Sequence, residues 1–233
     1  MKNTIKILED NVINQIAAGE VIQRPASVLK ELLENSIDAG ANNIHIIIKN
    51  SGKKLIQIID DGIGMNTNDA KLCFIKHATS KIESTNDINN ISTMGFRGEA
   101  LASIASVAEV ELKTKTKLEE IGNLINIDNS KINNITQTAC TTGTSLSVKN
   151  LFFNIPARKN FLKSDKIEQK HILETFIQIA LAHYNINFQL TVDGKQIYNL
   201  SKENFKNRII QLFGKRYKQK ILQINEQTTI VSI

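Results

Sequence analysis

Glu31 and Asn35 stand four apart in the stretch K-E-L-L-E-N-S-I-D-A-G-A at 30–41. On a helix that spacing points a carboxylate and an amide oxygen the same way. One could activate a water and the other hold a hard metal ion. Glu34 and Asp38 share that half of the wheel. Four acceptors with only Lys30 at their edge repel one another unless a divalent cation or a ligand's donors relieve them. A surface helix with a solvated acidic face looks the same, so the helix alone leaves both readings open. A second group, D-D-G-I-G at 60–64, places carboxylates beside two glycines, where backbone can approach a ligand closely; an ordinary Asp-Gly turn has the same letters. A third, G-F-R-G-E-A-L at 95–101, sets glycines just before a helix whose first N–H groups favour phosphate. Neither the G-x-x-x-x-G-K-[ST] phosphate loop nor the G-x-G-x-x-G of dinucleotide folds occurs.

The elements that must position these groups follow from periodicity. Val28, Leu29, Leu32, Leu33 and Ile37 form the apolar half of the first helix, with Pro25 in its opening turn and Gly40 as its stop. Two β-branched runs, 44–49 and 55–60, flank the turn Asn50-Ser51-Gly52-Lys53 and read as a hairpin. Residues 68–76 look helical. H-A-T-S-K-I at 77–82 precedes a polar, asparagine-rich loop to Asn90, long enough to act as a lid. A helix runs to about Ser106. Further strands are expected at 107–116, 121–127, 144–148 and 186–192, with a long helix at 167–182 and a hairpin turn at Asp193-Gly194. Residues 13–21 form either a short helix or an arm that packs on another subunit. From Ser201 the composition changes, with a helix at 202–213. The chain divides into an arm at 1–24, a main domain at 25–200 and the incomplete start of a second domain at 201–233, as in a fragment of a longer protein.

Composition narrows the function classes. The 233 residues carry 41% hydrophobic side chains, enough for a substantial core, and no run approaches the ~18 apolar residues of a membrane span. The N-terminus lacks the apolar centre of a signal peptide. Cys73 and Cys140 lie far apart and read as thiols in a reducing cytosol. The four histidines show no ligand spacing, so a structural zinc is not expected. A net charge of +6 permits an acidic partner such as DNA, but the excess lies in lysine within a chain rich throughout in Lys, Asn and Ile.

Taken in order, E-x-x-x-N, D-D-G-I-G, H-A-T-S-K-I, G-F-R-G-E-A-L-A-S-I and a G-T before a strand resemble the GHKL ATPases. That superfamily joins the gyrase ATPase subunit, a heat-shock chaperone, sensor histidine kinases and the MutL mismatch-repair proteins. The match is closest to the MutL family, through N-Q-I-A-A-G-E-V-I at 14–22, R-P-A-S-V-L-K-E-L-L-E-N-S-I-D-A-G-A at 24–41 and L-F-F-N-I-P-A-R-K-N-F-L at 151–162. A topoisomerase subunit or a kinase fits less well: no acceptor-histidine helix is visible, and the I-A-A-G-E-V arm favours MutL.

The resemblance implies a two-layer α/β sandwich, with helices on one face of a mixed, mostly antiparallel sheet and ATP between helices and lid. It implies Glu31 as the general base, Asn35 as a Mg²⁺ ligand and Asp60 as acceptor for the adenine amino group. Gly62 and Gly64 would close on the base, with Thr144 beneath it. Thr79, Ser80 and Lys81 would belong to the lid side, and Gly95, Phe96, Arg97 and Gly98 to the phosphates. Glu34 and Asp38 are left to helix solvation or support. Asp61 stands where MutL proteins commonly have Asn, and its extra charge is expected to weaken nucleotide binding slightly. The family's second domain also contributes a lysine to the γ-phosphate that this stretch does not include. The implied activity is weak, Mg²⁺-dependent ATP hydrolysis in the bacterial cytosol, at the nucleoid. ATP binding would close a homodimer on DNA without sequence preference and couple a MutS-type mismatch recognition protein to a downstream endonuclease or helicase. The rival is an ATP-gated interaction module without significant turnover. Arg158, Lys159 and Lys163 are the first candidates for DNA contact, with Lys202, Lys206, Arg208, Lys215, Arg216, Lys218 and Lys220 behind them; a solvated basic surface reads the same.

Overall fold

The computed structural model describes residues 6, 8–82, 84, 87 and 93–222. Much of the expected lid loop up to Asn90, and the chain beyond Leu222, lie outside the described residues. The frame is one eight-stranded sheet. Its strands are β1 (Asn43–Lys49), β2 (Leu55–Asp60), β3 (Glu109–Lys115), β4 (Gly122–Asp128), β5 (Lys131–Thr138), β6 (Gly143–Lys149), β7 (Asn187–Val192) and β8 (Lys195–Leu200). They lie in the order β5-β4-β3-β6-β2-β1-β7-β8. Only β1 and β7 pair in parallel; the rest are antiparallel, as expected.

Alternation along the central strands buries one face beneath the helices. Ile46, Ile58, Leu146, Leu112 and Ile125 make one apolar rung across five strands, and Ile48, Ile56, Val148, Val110 and Ile127 the next. Among the described residues the helices are α1 (Asp10–Val21), α2 (Pro25–Asp38), α3 (Thr67–Leu72), α4 (Ala100–Val107), α5 (Pro156–Phe161), α6 (Asp165–Ala182) and α7 (Phe205–Phe213). Helix α2 seats Val28, Leu29, Leu32 and Leu33 in the core and packs along α6. Pro25 opens it, and Gly40, at φ 72°, closes it.

Two strands escape the sequence reading. β5 is exposed along nearly its whole length, so no buried face imprints a period of two on its residues. β4 and the tight turn at Asn129-Ser130, both at positive φ, hold it in place. β8 follows the expected Asp193-Gly194 turn but buries only Leu200. α3 is also shorter than expected: Asn66 caps its start, accepting from the Asn68 and Asp69 N–H groups, and the helix ends at Leu72. The 13–21 segment is helical in α1 and lies on α4, with Ala18 and Ile22 buried.

Arg208 is not on the basic surface. It is wholly buried, its guanidinium within 3.2 Å of the carbonyls of Ala180, Tyr184, Ile186 and Ser201 and stacked over Phe188, which ties α7 to α6 and β7. It has no free donor fork for DNA phosphates. Arg208→Met, which keeps volume but leaves those carbonyls unpaired, is expected to lower unfolding free energy by about 2 kcal/mol, measured by urea denaturation.

Candidate functional site

The sheet's buried face changes character at one end. The register that aligns the apolar rungs also aligns Asp60 on β2, Thr144 on β6, Thr114 on β3 and Asn123 on β4. Asp60, Thr114 and Asn123 are buried there. Polar groups out of water need partners, and these have them. Asp60 Oδ2 accepts from Ser36 Oγ of α2 at 2.8 Å, while Oδ1 accepts from the Gly62 N–H at 3.0 Å and the Thr144 N–H at 3.2 Å. Thr114 Oγ1 donates to the Gly143 carbonyl at 2.9 Å and accepts from the Met65 N–H. It also lies 3.3 Å from Thr144 Oγ1. Asn123 Oδ1 accepts from Thr67 Oγ1 at 3.1 Å. Burial pushes the Asp60 carboxyl above the usual range, against the pull of Ser36 and the two N–H groups.

Glycines let this end of the sheet close. A Cβ on Gly64, at φ 68°, would strike the Lys115 carbonyl, and one on Gly143, at φ 115°, the Asp60 carbonyl. Gly62 lies against Ala39 at the end of α2, where a Cβ would come within 2.9 Å of the Ala39 carbonyl.

The acidic face of α2 runs beside this end, and the chain itself supplies counterions. Lys30 Nζ lies 2.8 Å from Glu34 and 3.8 Å from Glu31. Lys81 Nζ donates to Asp38 Oδ2 at 2.6 Å and to Asn35 Oδ1 at 3.2 Å. The repulsion argued from sequence is therefore met by two lysines. Burial raises the Glu31 carboxyl above its ordinary value although Lys30 opposes the shift, which suits a group that must accept a proton.

Asp38 does more than solvate the helix. Its Oδ1 accepts from the Met94 N–H at 3.0 Å and its Oδ2 from the Gly95 N–H at 3.1 Å. Burial alone would raise its pKa, yet Lys81 and the two N–H groups hold it below the usual range. It thus ties the glycine loop and the 77–82 segment to α2. A second tie joins those two pieces: the His77 N–H donates to the Gly98 carbonyl, and a Cβ on Gly98 would hit the Ala78 carbonyl. Thr79 Oγ1 accepts from the Lys81 N–H, Ser80 is exposed, and exposed Arg97 lies over the Phe96 ring at 5.5 Å. The loop enters α4 through Glu99, which makes no side-chain cap.

The structure therefore gathers Glu31, Asn35, Asp60, Gly62, Gly64, Thr144, Lys81 and Gly95 around one end of the sheet and α2. It adds Thr114, Asn123 and Ser36, which sequence reasoning missed, and of the two roles left open for Asp38, solvation or support, it shows the support. Thr114 and Asn123 were findable only through strand register. Ser36 lies one place after Asn35, on the turn of α2 that faces β2.

The profile of the histidine kinase-, DNA gyrase B- and HSP90-like ATPases matches residues 23–152, more than half of the chain. The chain belongs to this ATPase family. Along its whole length it is 53% identical to the DNA mismatch repair protein MutL of Christiangramia forsetii and 54% identical to that of Flavobacterium psychrophilum. It spans 38% of the length of each of these curated relatives. The solved Aquifex aeolicus MutL ATPase domain, complexed with ADP, superposes with a TM-score of 0.68 at 30% identity, over 83% of this chain and 70% of that one.

Asp61, expected from its charge to weaken nucleotide binding slightly, adds through space to the rise in the Asp60 pKa. It turns away from Asp60: Oδ1 accepts from the Asn42 and Asn43 N–H groups at 2.7 and 2.8 Å, and Oδ2 from Asn43 Nδ2 at 2.6 Å. Burial acts to raise it, but these bonds hold it below the usual carboxylate range. These neutral donors stabilise its charge at the start of β1. The basic candidates also divide. Lys159 and Lys163 are exposed, whereas Arg158 is half-buried against Gly19 of α1, over the Phe152 ring at 6.0 Å.

Proposed function

We propose that this chain binds ATP with magnesium and hydrolyses it slowly, as the nucleotide-dependent part of a MutL-type mismatch repair protein. One observation carries the reading: a polar rung ending in buried Asp60 interrupts an apolar sheet face directly beside the acidic face of α2. A buried carboxylate that only accepts suits an adenine amino group. Thr144 and Thr114 add hydroxyls beneath the base, and Gly62 and Gly64 hold backbone close to it. Glu31 would orient and deprotonate the attacking water. Thr79, Ser80 and Lys81 would face the nucleotide from the lid side, and the N–H groups of Phe96, Arg97 and Gly98 would receive the phosphates, beside Gly95, whose own N–H Asp38 holds.

The donor set fits magnesium. Asn35 offers one hard oxygen, with a carboxylate oxygen of Asp38 near it: both lie 3.9 Å from where a Gly95 Cβ would stand, and the Lys81 ammonium lies 3.4 Å from the same point. Among the described residues no group of three or more His, Cys, Asp or Glu gathers as a metal site; one or two protein oxygens completed by phosphate and water is the usual magnesium arrangement. The bound ion would neutralise charge on the phosphates. Calorimetric titration should show saturable ATP binding that magnesium strengthens. No binding with or without the metal overturns the reading.

By the same likeness, ATP would close a homodimer on DNA and couple a MutS-type mismatch recognition protein to a downstream endonuclease or helicase, in the bacterial cytosol. No described helix is long and apolar enough to cross a membrane. Lys159 and Lys163, with exposed Lys202, Lys206, Lys215, Arg216, Lys218 and Lys220, supply the cationic surface. DNA affinity should fall steeply with salt and ignore sequence, because phosphate contacts release counterions. Salt-insensitive binding in a fluorescence-anisotropy titration would sink the DNA proposal.

A further inference from the structure

The oxygen proposed to hold magnesium already has a cation against it. Lys81 Nζ donates to Asn35 Oδ1 at 3.2 Å and to Asp38 Oδ2 at 2.6 Å, and both the lysine and the aspartate are largely withdrawn from water. Solvent screens such a pair less than it would an exposed one. Gly95 lies against it: a Cβ there would stand in ordinary contact with the ammonium, at 3.4 Å. The same Asp38 carboxylate accepts the Met94 and Gly95 N–H groups. One ammonium thus joins the metal face of α2, the 77–82 segment and the glycine loop.

We propose that Lys81 is a resident counter-cation of the α2 acidic face that competes with magnesium for Asn35. This rests on the magnesium reading above and adds how that site is regulated. A divalent ion and an ammonium at one amide oxygen repel each other, so arrival of the metal expels Lys81 from Asn35. The 77–82 segment then loses one of its two anchors on α2, and Asp38 is left to hold the glycine loop. Linkage makes the coupling reciprocal: whatever fixes Lys81 on Asn35 weakens the metal, and the metal loosens the segment that Lys81 holds.

The test uses manganese(II) as a paramagnetic probe of divalent-ion binding to the chain saturated with ADP, which supplies the phosphate oxygens, followed by the resonance of the free ion. Lys81→Met should tighten manganese binding by roughly fivefold or more, the lower range of coupling between sites. Lys30→Met removes an ammonium from the same face without touching Asn35 and should change it less than about twofold. Equal gains in the two variants would mean a general field effect and overturn the competition, as would no gain in Lys81→Met. Asn35→Ala distinguishes the two levels of the argument. If manganese binding is unmoved by Asn35→Ala, the metal reading itself has failed and this proposal with it. If binding is lost there but not gained in Lys81→Met, only the competition falls. A second readout needs no variant. In wild-type chain saturated with ADP, hydrogen exchange of the 77–82 segment should quicken when magnesium is added, and unchanged exchange overturns the proposal.

Discussion

Asp60→Asn is expected to weaken ATP binding by on the order of a thousandfold while leaving the fold as stable as before, or slightly more so. The loss follows from donor and acceptor arithmetic. Oδ1 of Asp60 serves the Gly62 and Thr144 N–H groups, and an asparagine carbonyl can take over both bonds. Oδ2 accepts from Ser36 Oγ; an amide nitrogen there would donate to the same hydroxyl, which rotates to accept. The fold is therefore served either way. The ligand is not, because an adenine amino group would meet a second donor in a buried site. It would lose a hydrogen bond to a charged acceptor, about 1.5–3 kcal/mol, and leave buried donors unpaired at about 1–3 kcal/mol more. The stability half has a definite sign. Burial raises the folded-state pKa of Asp60, so its contribution to stability is present below the ordinary aspartate pKa and is lost as pH rises through the raised value. Removing the charge at neutral pH removes that penalty. Calorimetry and thermal unfolding on one preparation check both halves. A variant that binds ATP like wild type would take Asp60 out of the site, and one that unfolds would make the carboxylate structural.

How much of this was legible in the letters depends on what each residue touches. The α2 face was readable because helical spacing alone places Glu31, Asn35 and Asp38 together. The central strands were readable because burial on one side gave them alternation. β5 and β8 were not, since an edge strand with little buried face carries no such pattern and is held by its neighbour. Within the site, Asp60 could be marked from its acidic, glycine-rich surroundings, but Thr114 and Asn123 became visible only when register set them on the same rung. For Asp38 the letters leave solvation and support both open, because the partners that decide, Met94 and Gly95, lie more than fifty positions along the chain. The partners of Asp61 were hidden for a related reason: successive positions leaving a strand point opposite ways, and Asp61 faces the Asn42–Asn43 backbone while its charge still reaches Asp60. Arg208 shows the same limit for charge. Its letter promised a surface cation, and its environment is four carbonyls and a ring.

Glu31→Gln separates turnover from occupancy, and its expected effect is a fall of about 10²–10⁴ in the rate of ATP hydrolysis, the usual contribution of a positioned general base. Glutamine keeps the shape and the lone pairs that could orient a water but cannot take its proton. ATP affinity should stay close to wild type, because the residues proposed to hold base and phosphates lie elsewhere on the site. The pH profile adds a check that a structural role would not produce. Burial raises the Glu31 pKa, and the base works only when deprotonated, so the acid limb of hydrolysis should lie above the ordinary glutamate range. Lys30, with its ammonium 3.8 Å from Glu31 Oε1, pulls that pKa down. Lys30→Met should therefore move the acid limb to still higher pH without abolishing turnover. If Glu31→Gln hydrolyses normally, Glu31 is not the base. If it binds ATP, fails to hydrolyse it, and still supports ATP-dependent dimer closure on DNA, occupancy alone is the signal and turnover serves to reset it. If closure is lost while binding survives, hydrolysis is itself part of the signal.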